Sequence, residues 1–294
     1  MALTAIIFGL IAAIAWGVGD YLGARAAKKL TGYTAAFLVL SAATVTYAIF
    51  YLLFLRSHTV FNAEAIGYAV AAGASFTIAN LAFYKGLELG PVSIVSPLGS
   101  LYPLITALLL VAVFGSQLSG HQVLGVVVVV GGAMIASGLT GRGALKNGLS
   151  RGPLLGLLAA VFWGIAFGLI TQSINLIGWQ FASLIELICG ALAYLPLLAL
   201  LNRGKKIVSP SRLLRNFFTP LILLAGLLIE IGFLAVTIGI GEVGDLAPTV
   251  VAVSACYPIL TVFLALHRFK EKFQLVPMLG AFAGIAGIVI LSLG

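Results

Sequence analysis

Residues 86–138 read GLELGPVSIVSPLGSLYPLITALLLVAVFGSQLSGHQVLGVVVVVGGAMIASG, and three features of that run decide the fold. Its first part is apolar yet carries Pro97 and Pro103. A proline inside a helix removes one backbone hydrogen bond and clashes with the carbonyl four residues back, so this helix should kink or hinge. A short polar turn containing Ser116 and Gln117 follows, then a second apolar run with Gly125, Gly131 and Gly132. Small residues at such spacing let helices approach closely in lipid. Each apolar run is long enough to cross about 30 Å of hydrocarbon as a helix, where every backbone polar group must be satisfied internally.

The rest of the chain extends that reading. Of its 294 residues, 62% are hydrophobic and only 8% charged, with a mean hydropathy of +1.19, against about 25% charged in an ordinary soluble domain. A water-soluble globule is excluded, and the fold class is an all-α membrane protein. Charged or Gly/Pro-containing turns divide the chain into ten runs, near 3–24, 33–55, 64–84, 91–115, 121–139, 153–174, 177–201, 217–240, 246–267 and 275–293. The first run has no Lys or Arg before it, so it reads as a retained span rather than a secretion signal. The net charge of +8 is scattered through short loops, unlike a nucleic-acid-binding arm.

That scatter has a direction. Fifteen of the sixteen Lys and Arg residues fall in odd-numbered loops: Arg25, Lys28 and Lys29; Lys85; Arg142, Lys146 and Arg151; Arg203, Lys205, Lys206, Arg212 and Arg215; Arg268, Lys270 and Lys272. Only Arg56 lies in an even loop. By the positive-inside rule the odd loops are cytoplasmic and both termini extracytoplasmic.

The second half repeats the first. Gly9, Trp16 and Gly17 match Gly156, Trp163 and Gly164 at a separation of 147 residues. Gly86, Tyr102, Pro103, Thr106, Gly125 and Gly132 match Gly241, Tyr257, Pro258, Thr261, Gly280 and Gly287 at 155. The eight-residue difference is expected between spans one and three, where loop seven is longer than loop two. Five spans per repeat is an odd number, so the halves should sit upside down to one another, the architecture of secondary transporters with a site near the midplane.

These residues resemble one family, the EamA-type transporters of the drug/metabolite transporter superfamily. The likeness rests on Ala15-Trp16-Gly17, on Phe162-Trp163-Gly164 and on the passage quoted first, and it covers essentially the whole chain. It implies ten transmembrane helices as two inverted five-helix EamA repeats, at 1–139 and 153–294, joined by a cytoplasmic linker at 140–152. Family repeats place a Glu in the turn nine residues before the Gly of the next helix. Glu271 keeps it before Gly280, whereas Ser116 stands there in the first repeat. The resemblance further implies efflux of a small organic metabolite, amino acid or drug across a bacterial inner membrane by alternating access.

Candidate site residues follow from burial of polar groups. Glu186 and Glu230 are carboxylates well inside spans, where an acidic residue costs about 2.5 to 3.5 kcal/mol and must face the interior. Desolvation favours the neutral form of such a group, as proton exchange or cation binding requires. Trp16, Trp163, Tyr84, Tyr102 and Tyr257 offer apolar area with a single donor. Asn80 is a further polar candidate. Ser93, Ser96 and Ser100 share a face with Pro103 and suit either a substrate wall or helix–helix contacts. Pro103 and Pro258 are the expected hinges, either static kinks or moving gates. Asp20, five residues before Arg25, reads as an interfacial charge partner.

Other chemistries lack support in the sequence. Cys189 and Cys256 lie in apolar runs as small buried hydrophobes. His58, His121 and His267 fall at loops without metal-ligand spacing, so no metal or cofactor is expected, and ATP is not the energy source because no Walker motif is present. A lipid-modifying intramembrane enzyme is disfavoured, since no His or paired-carboxylate constellation sits within the spans. The leading reading is a secondary transporter whose partners are a small-molecule substrate, protons and the lipid bilayer. The alternative is an uncoupled uniporter or facilitative channel. The Gly-rich spans five and ten suit packing within a monomer or between the subunits of a homodimer.

Overall fold

The computed structural model describes residues 2–54, 61–115, 120–136, 151–201, 210–271 and 275–292. The turn residues Ser116 and Gln117, the linker 140–150, and Arg56, Arg203, Lys205, Lys206 and Lys272 lie outside the described residues. Among the described residues all regular structure is helical. The first repeat holds α1 (Ala2–Lys29), α2 (Gly32–Phe54), α3 (Ala63–Leu89), α4 (Val92–Gly99), α5 (Tyr102–Phe114) and α6 (Gly120–Ala136). The second holds α7 (Arg151–Ile177), α8 (Trp179–Leu201), the short α9 (Pro210–Phe217), α10 (Pro220–Val243), α11 (Ala247–Ser254), α12 (Pro258–Phe269) and α13 (Leu275–Ser292). Among the described residues, seven stretches are long and apolar enough to cross a membrane, and two further apolar segments, Trp179–Tyr194 and Met278–Ile290, are shorter.

Runs four and nine, which carry Pro103 and Pro258, are broken, but not at those prolines. α4 gives way to α5 through Ser100 and Leu101, both with ψ near 0°, and α11 gives way to α12 through Ala255–Tyr257. Pro103 and Pro258 then sit in the first turn of the following helix, where a missing N–H has no helical partner to lose and the fixed φ is already helical. The expected mid-helix kink is therefore a helix end and a fresh start. Three-residue turns bridge it, such as Leu101 N–H to Leu98 O at 3.4 Å and Tyr257 N–H to Ser254 O at 3.2 Å.

Packing is exchanged between the repeats. α1 lies against α11 and α12, while α7 lies against α4 and α5. The contacts correspond atom for atom. A Cβ on Gly9 would meet Val250 O and Val253, and one on Gly156 would meet Val95 O and Leu98; these partners are 155 residues apart. Thr261 donates to Gly17 O at 3.0 Å, and Thr106 donates to Gly164 O at 3.0 Å. Such interhelical hydrogen bonds are worth about 0.6 to 2 kcal/mol in lipid. α6 and α13 close on each other through Gly132 and Gly287, so tightly that a Cβ built on Gly287 would lie 2.6 Å from Val129 N. Those glycines are thus used within the chain.

One assignment from the sequence is corrected. Gly86 corresponds to Gly239, not to Gly241: each faces the matching valine, Val95 or Val250, at 3.0 and 2.9 Å from a Cβ placed there. Gly241 instead faces Trp179. Likewise Gly73 rests on Glu186 O and Gly190 N, whereas Gly226 rests on Val39 O and Ala43 N. The separation is therefore 147 residues for α1 and α2, 153 for α3 and 155 beyond it. Six of the eight extra residues enter between α8 and α10, around α9. The other two enter at the α10–α11 turn, where Gly244–Leu246 forms a 3-10 turn and Gly244 takes a positive φ of 56°.

At one end of the bundle, polar contacts tie the helix termini together. Glu271 accepts from Val92 N–H at 2.9 Å and Ser93 N–H at 3.0 Å, satisfying the free donors at the start of α4. Glu88 accepts from Gly32 N–H and pairs with Lys85 at 2.8 Å. Lys28 approaches Gly90 O and the Phe269 ring. This end carries the basic residues of α1, α3 and α12.

Candidate functional site

A cavity of about 90 Å³ lies where α1, α2, α3, α7, α8 and α10 meet the two helix breaks. Four expected residues give it rings: Trp16, Trp163, Tyr102 and Tyr257. Three give it polar groups: Asn80, Glu186 and Glu230. A side lobe of about 40 Å³ shares Asn80 and Glu186 and adds Thr77 and Tyr194.

The frame around the cavity is again exchanged between the repeats. The Tyr102 hydroxyl lies 2.7 Å from Ser254 Oγ and donates toward Val251 O, while the Tyr257 hydroxyl donates to Ser96 O at 3.3 Å. Val251 and Ser96 are equivalent positions. Trp16 meets Tyr257 edge-on at 6.2 Å, and Trp163 meets Tyr102 edge-on at 6.4 Å. The Trp16 indole N–H donates to Ile229 O at 3.1 Å, so each of these rings is held by a hydrogen bond at its rim or by edge contact with a neighbour.

The two carboxylates of the lining are less completely paired. Glu230 is 1% exposed and Glu186 3% exposed. Glu230 Oε1 and Glu186 Oε2 have no hydrogen-bond partner among the described residues, which is costly for a buried polar atom unless a ligand or proton completes it. Asp20 lines the same cavity and is 5% exposed. The expectation that it is an interfacial charge partner is corrected here, because α1 continues to Lys29 and places Asp20 nine residues, roughly 14 Å, from that end. No ion pair to Asp20 is present among the described residues.

Three expected residues lie outside the cavity. The Tyr84 ring packs on Gly23, filling the space a Cβ would take. Ser96 contributes its backbone carbonyl to Tyr257, and the Ser100 hydroxyl turns back to Pro97 O at 2.9 Å. Ser93, on the same face, lines a separate pocket with Pro97 and Pro258. Pro103 and Pro258, the expected hinges, adjoin the cavity through Tyr102 and Tyr257. Sequence reading overlooked Phe76, Phe167 and Phe233, which complete the wall: Phe76 meets Phe167 at 5.0 Å and Phe233 at 5.6 Å, and Tyr102 stacks on Phe167 at 4.8 Å. The repeat itself held the missing signal, since Phe167 stands where Asp20 does and Phe233 where Asn80 does.

The EamA-like transporter family model matches this chain twice, over residues 3–138 and 150–293. The chain belongs to the EamA-like transporter family. Its members are transporters, not enzymes, and this one is a multi-pass membrane protein. An uncharacterised transporter of Archaeoglobus fulgidus is 28% identical over 161 residues, 55% of this chain and 56% of its own length. An uncharacterised protein of Methanocaldococcus jannaschii is 28% identical over 134 residues, 46% of this chain and 96% of its own. The chain thus spans little more than half the length of the Archaeoglobus relative it matches. A crystal structure at 18% identity shares the fold with a TM-score of 0.64, covering all of this chain and 98% of that one.

Proposed function

We propose that this EamA-type protein is a secondary transporter with ten spans in two inverted repeats, exposing the central cavity alternately to the two sides of a bacterial inner membrane. The observation that carries the reading is the cavity itself, with two buried carboxylates that each have one oxygen without a partner, set where the repeats exchange helices. Inversion is supported by the odd number of spans per repeat and by the reciprocal contacts of α1 with α12 and α7 with α5. The basic end, with Arg25, Lys28, Lys85 and Arg268, is assigned to the cytoplasm. Export of a small organic solute is the direction the family resemblance favours.

Glu230 is assigned the coupling role. It lies near the middle of α10 and lines the cavity, so a proton taken up there from one side can be handed to the other as the cavity changes sides. A thermal-shift screen against amino acids, amines and nucleosides identifies the stabilising ligand. In proteoliposomes with an imposed proton gradient, that ligand is expected to accumulate with wild type, while Glu230→Gln allows only downhill exchange. Gradient-independent flux in wild type moves the assignment to an uncoupled uniporter. Cysteines placed at Asn147 and Asn202 should react only from the cytoplasmic side; labelling of either by an impermeant reagent in intact cells reverses the orientation.

A further inference from the structure

The groups lining the cavity differ in what they have left to offer. The donors of Trp16, Tyr102 and Tyr257 go to Ile229 O, to Val251 O and Ser254, and to Ser96 O. One Asn80 amide N–H donates to Phe76 O at 2.8 Å, which leaves the other N–H and the oxygen free. No Lys, Arg or His lines the cavity among the described residues. Beside two neutral donors, the second Asn80 N–H and the Trp163 indole N–H, what remains are acceptors without donors, Glu230 Oε1 and Glu186 Oε2, together with the Asp20 carboxyl and a wall of aromatic rings.

We propose that the cargo is an organic ammonium ion, with its cationic head held by Glu230, Glu186 and Asp20 and its carbon substituents against the rings of Trp16, Tyr102, Phe76 and Phe167. This rests on reading the cavity as the cargo site. An anion entering here meets three carboxyl groups and, among the described residues, no cationic side chain, only the neutral N–H groups of Asn80 and Trp163. A neutral apolar molecule leaves the buried carboxyl oxygens unpaired, a loss that burial makes expensive. A cation completes the acceptors, and its methyl or methylene groups, which carry much of the positive charge of a substituted ammonium, lie against the negative faces of aromatic rings. Free space of about 90 Å³ is several times what a single buried water needs, room for an ammonium head with its attached carbons.

The acids have no repeat equivalents. Position 167 opposite Asp20 is Phe, position 77 opposite Glu230 is Thr, and position 39 opposite Glu186 is Val. The negative lining therefore does not come from duplicating one acidic motif. All three carboxyl groups converge on one cavity from three different helices, α1, α8 and α10.

Binding by the purified full-length protein in detergent tests the assignment without any transport step. The probes are tetramethylammonium, choline and phenyltrimethylammonium, with 3,3-dimethyl-1-butanol as the neutral shape-mimic of choline and 3,3-dimethylbutanoate as the anion. Titration calorimetry at one fixed pH reads affinity, and quenching of tryptophan emission reports entry beside Trp16 and Trp163. Choline is expected to bind saturably and about tenfold or more tightly than its neutral mimic. Glu230→Gln and, separately, Glu186→Gln should each weaken choline by several fold while leaving the neutral mimic unchanged. Equal affinity for choline and its mimic, tighter binding of the butanoate, or no saturable binding by any of the three cations would overturn the proposal. The comparison of ligands on wild type decides the matter even if a variant fails to fold. Choline binding without choline counterflow in proteoliposomes removes the transport reading and keeps this one, whereas counterflow of an anionic solute does the opposite.

Discussion

Trp16 and Trp163 occupy equivalent positions and make equivalent contacts, each edge-on to the tyrosine that begins the second part of a broken helix in the other repeat. One turn further along the same two helices the likeness ends. Asp20 stands in α1 and Phe167 in α7, and both line the cavity. The same divergence recurs in the other helices: Thr77 faces Gly190 O in a hydrogen bond of 2.9 Å, while its counterpart Glu230 has an oxygen with no partner. The frame of Gly, Thr, Trp and Tyr is set by the need of two helices to approach closely, and that need is identical in both halves. The lining is free of that need, and chemistry has differentiated it.

Breaking the frame should have the largest effect, and it should be equal on both sides. Gly164→Val would drive a side chain into Ile105 and the Tyr102 carbonyl, and Gly17→Val would do the same to Leu260 and the Tyr257 carbonyl. Each should cost about 3 kcal/mol or more and reduce the yield of monodisperse folded protein to a small fraction of wild type on size-exclusion chromatography. A well-folded Gly164→Val beside an unfolded Gly17→Val would show that the two crossings are not equivalent.

The prolines offer a subtler comparison. Pro103→Ala and Pro258→Ala each restore an N–H one residue or less from a helix break, allowing α4 to continue into α5 or α11 into α12. Both should slow turnover more than they weaken ligand binding, because a continuous helix shifts the equilibrium between cavity openings. Stopped-flow exchange and equilibrium titration on the same samples separate the two quantities, and unchanged turnover in both variants leaves the breaks as static features. Smaller still is the effect of Thr106→Val and Thr261→Val. Each removes one interhelical hydrogen bond, to Gly164 O and to Gly17 O respectively, and each should lower stability by about 1 kcal/mol, matched between the pair within the error of a chemical-denaturation curve.

Legibility in the sequence followed the same division. The apolar runs, the Trp and Tyr pairs and the broken helices were readable because hydropathy and glycine or proline punctuation record backbone requirements directly. Glu186 and Glu230 were readable because charge inside a span is costly. Asp20 was misplaced because a basic cluster marks only roughly where a helix ends, and α1 runs on through Arg25 to Lys29. The phenylalanines were invisible for a different reason: with 18 of them in the chain, ring content says nothing about which ones face inward. Gly86 was matched to Gly241 because 35 glycines supply a partner at many separations, and only the valine each glycine touches selects Gly239.

The central claim is that a symmetric frame carries an asymmetric, acid-lined cavity whose chemistry depends on Glu230. Proton-driven accumulation of the screened ligand in proteoliposomes, compared between Glu230→Gln and Thr77→Val, tests it most directly, because the two residues hold equivalent places in α10 and α3. Glu230→Gln should lose accumulation against the gradient. Thr77→Val, which gives up hydrogen bonds to Gly73 O and Gly190 O, should stay within about twofold of wild type, as expected for a change that affects stability rather than the cavity's charge. Wild-type accumulation by Glu230→Gln, or an equal loss in both variants with both folded, would contradict the account.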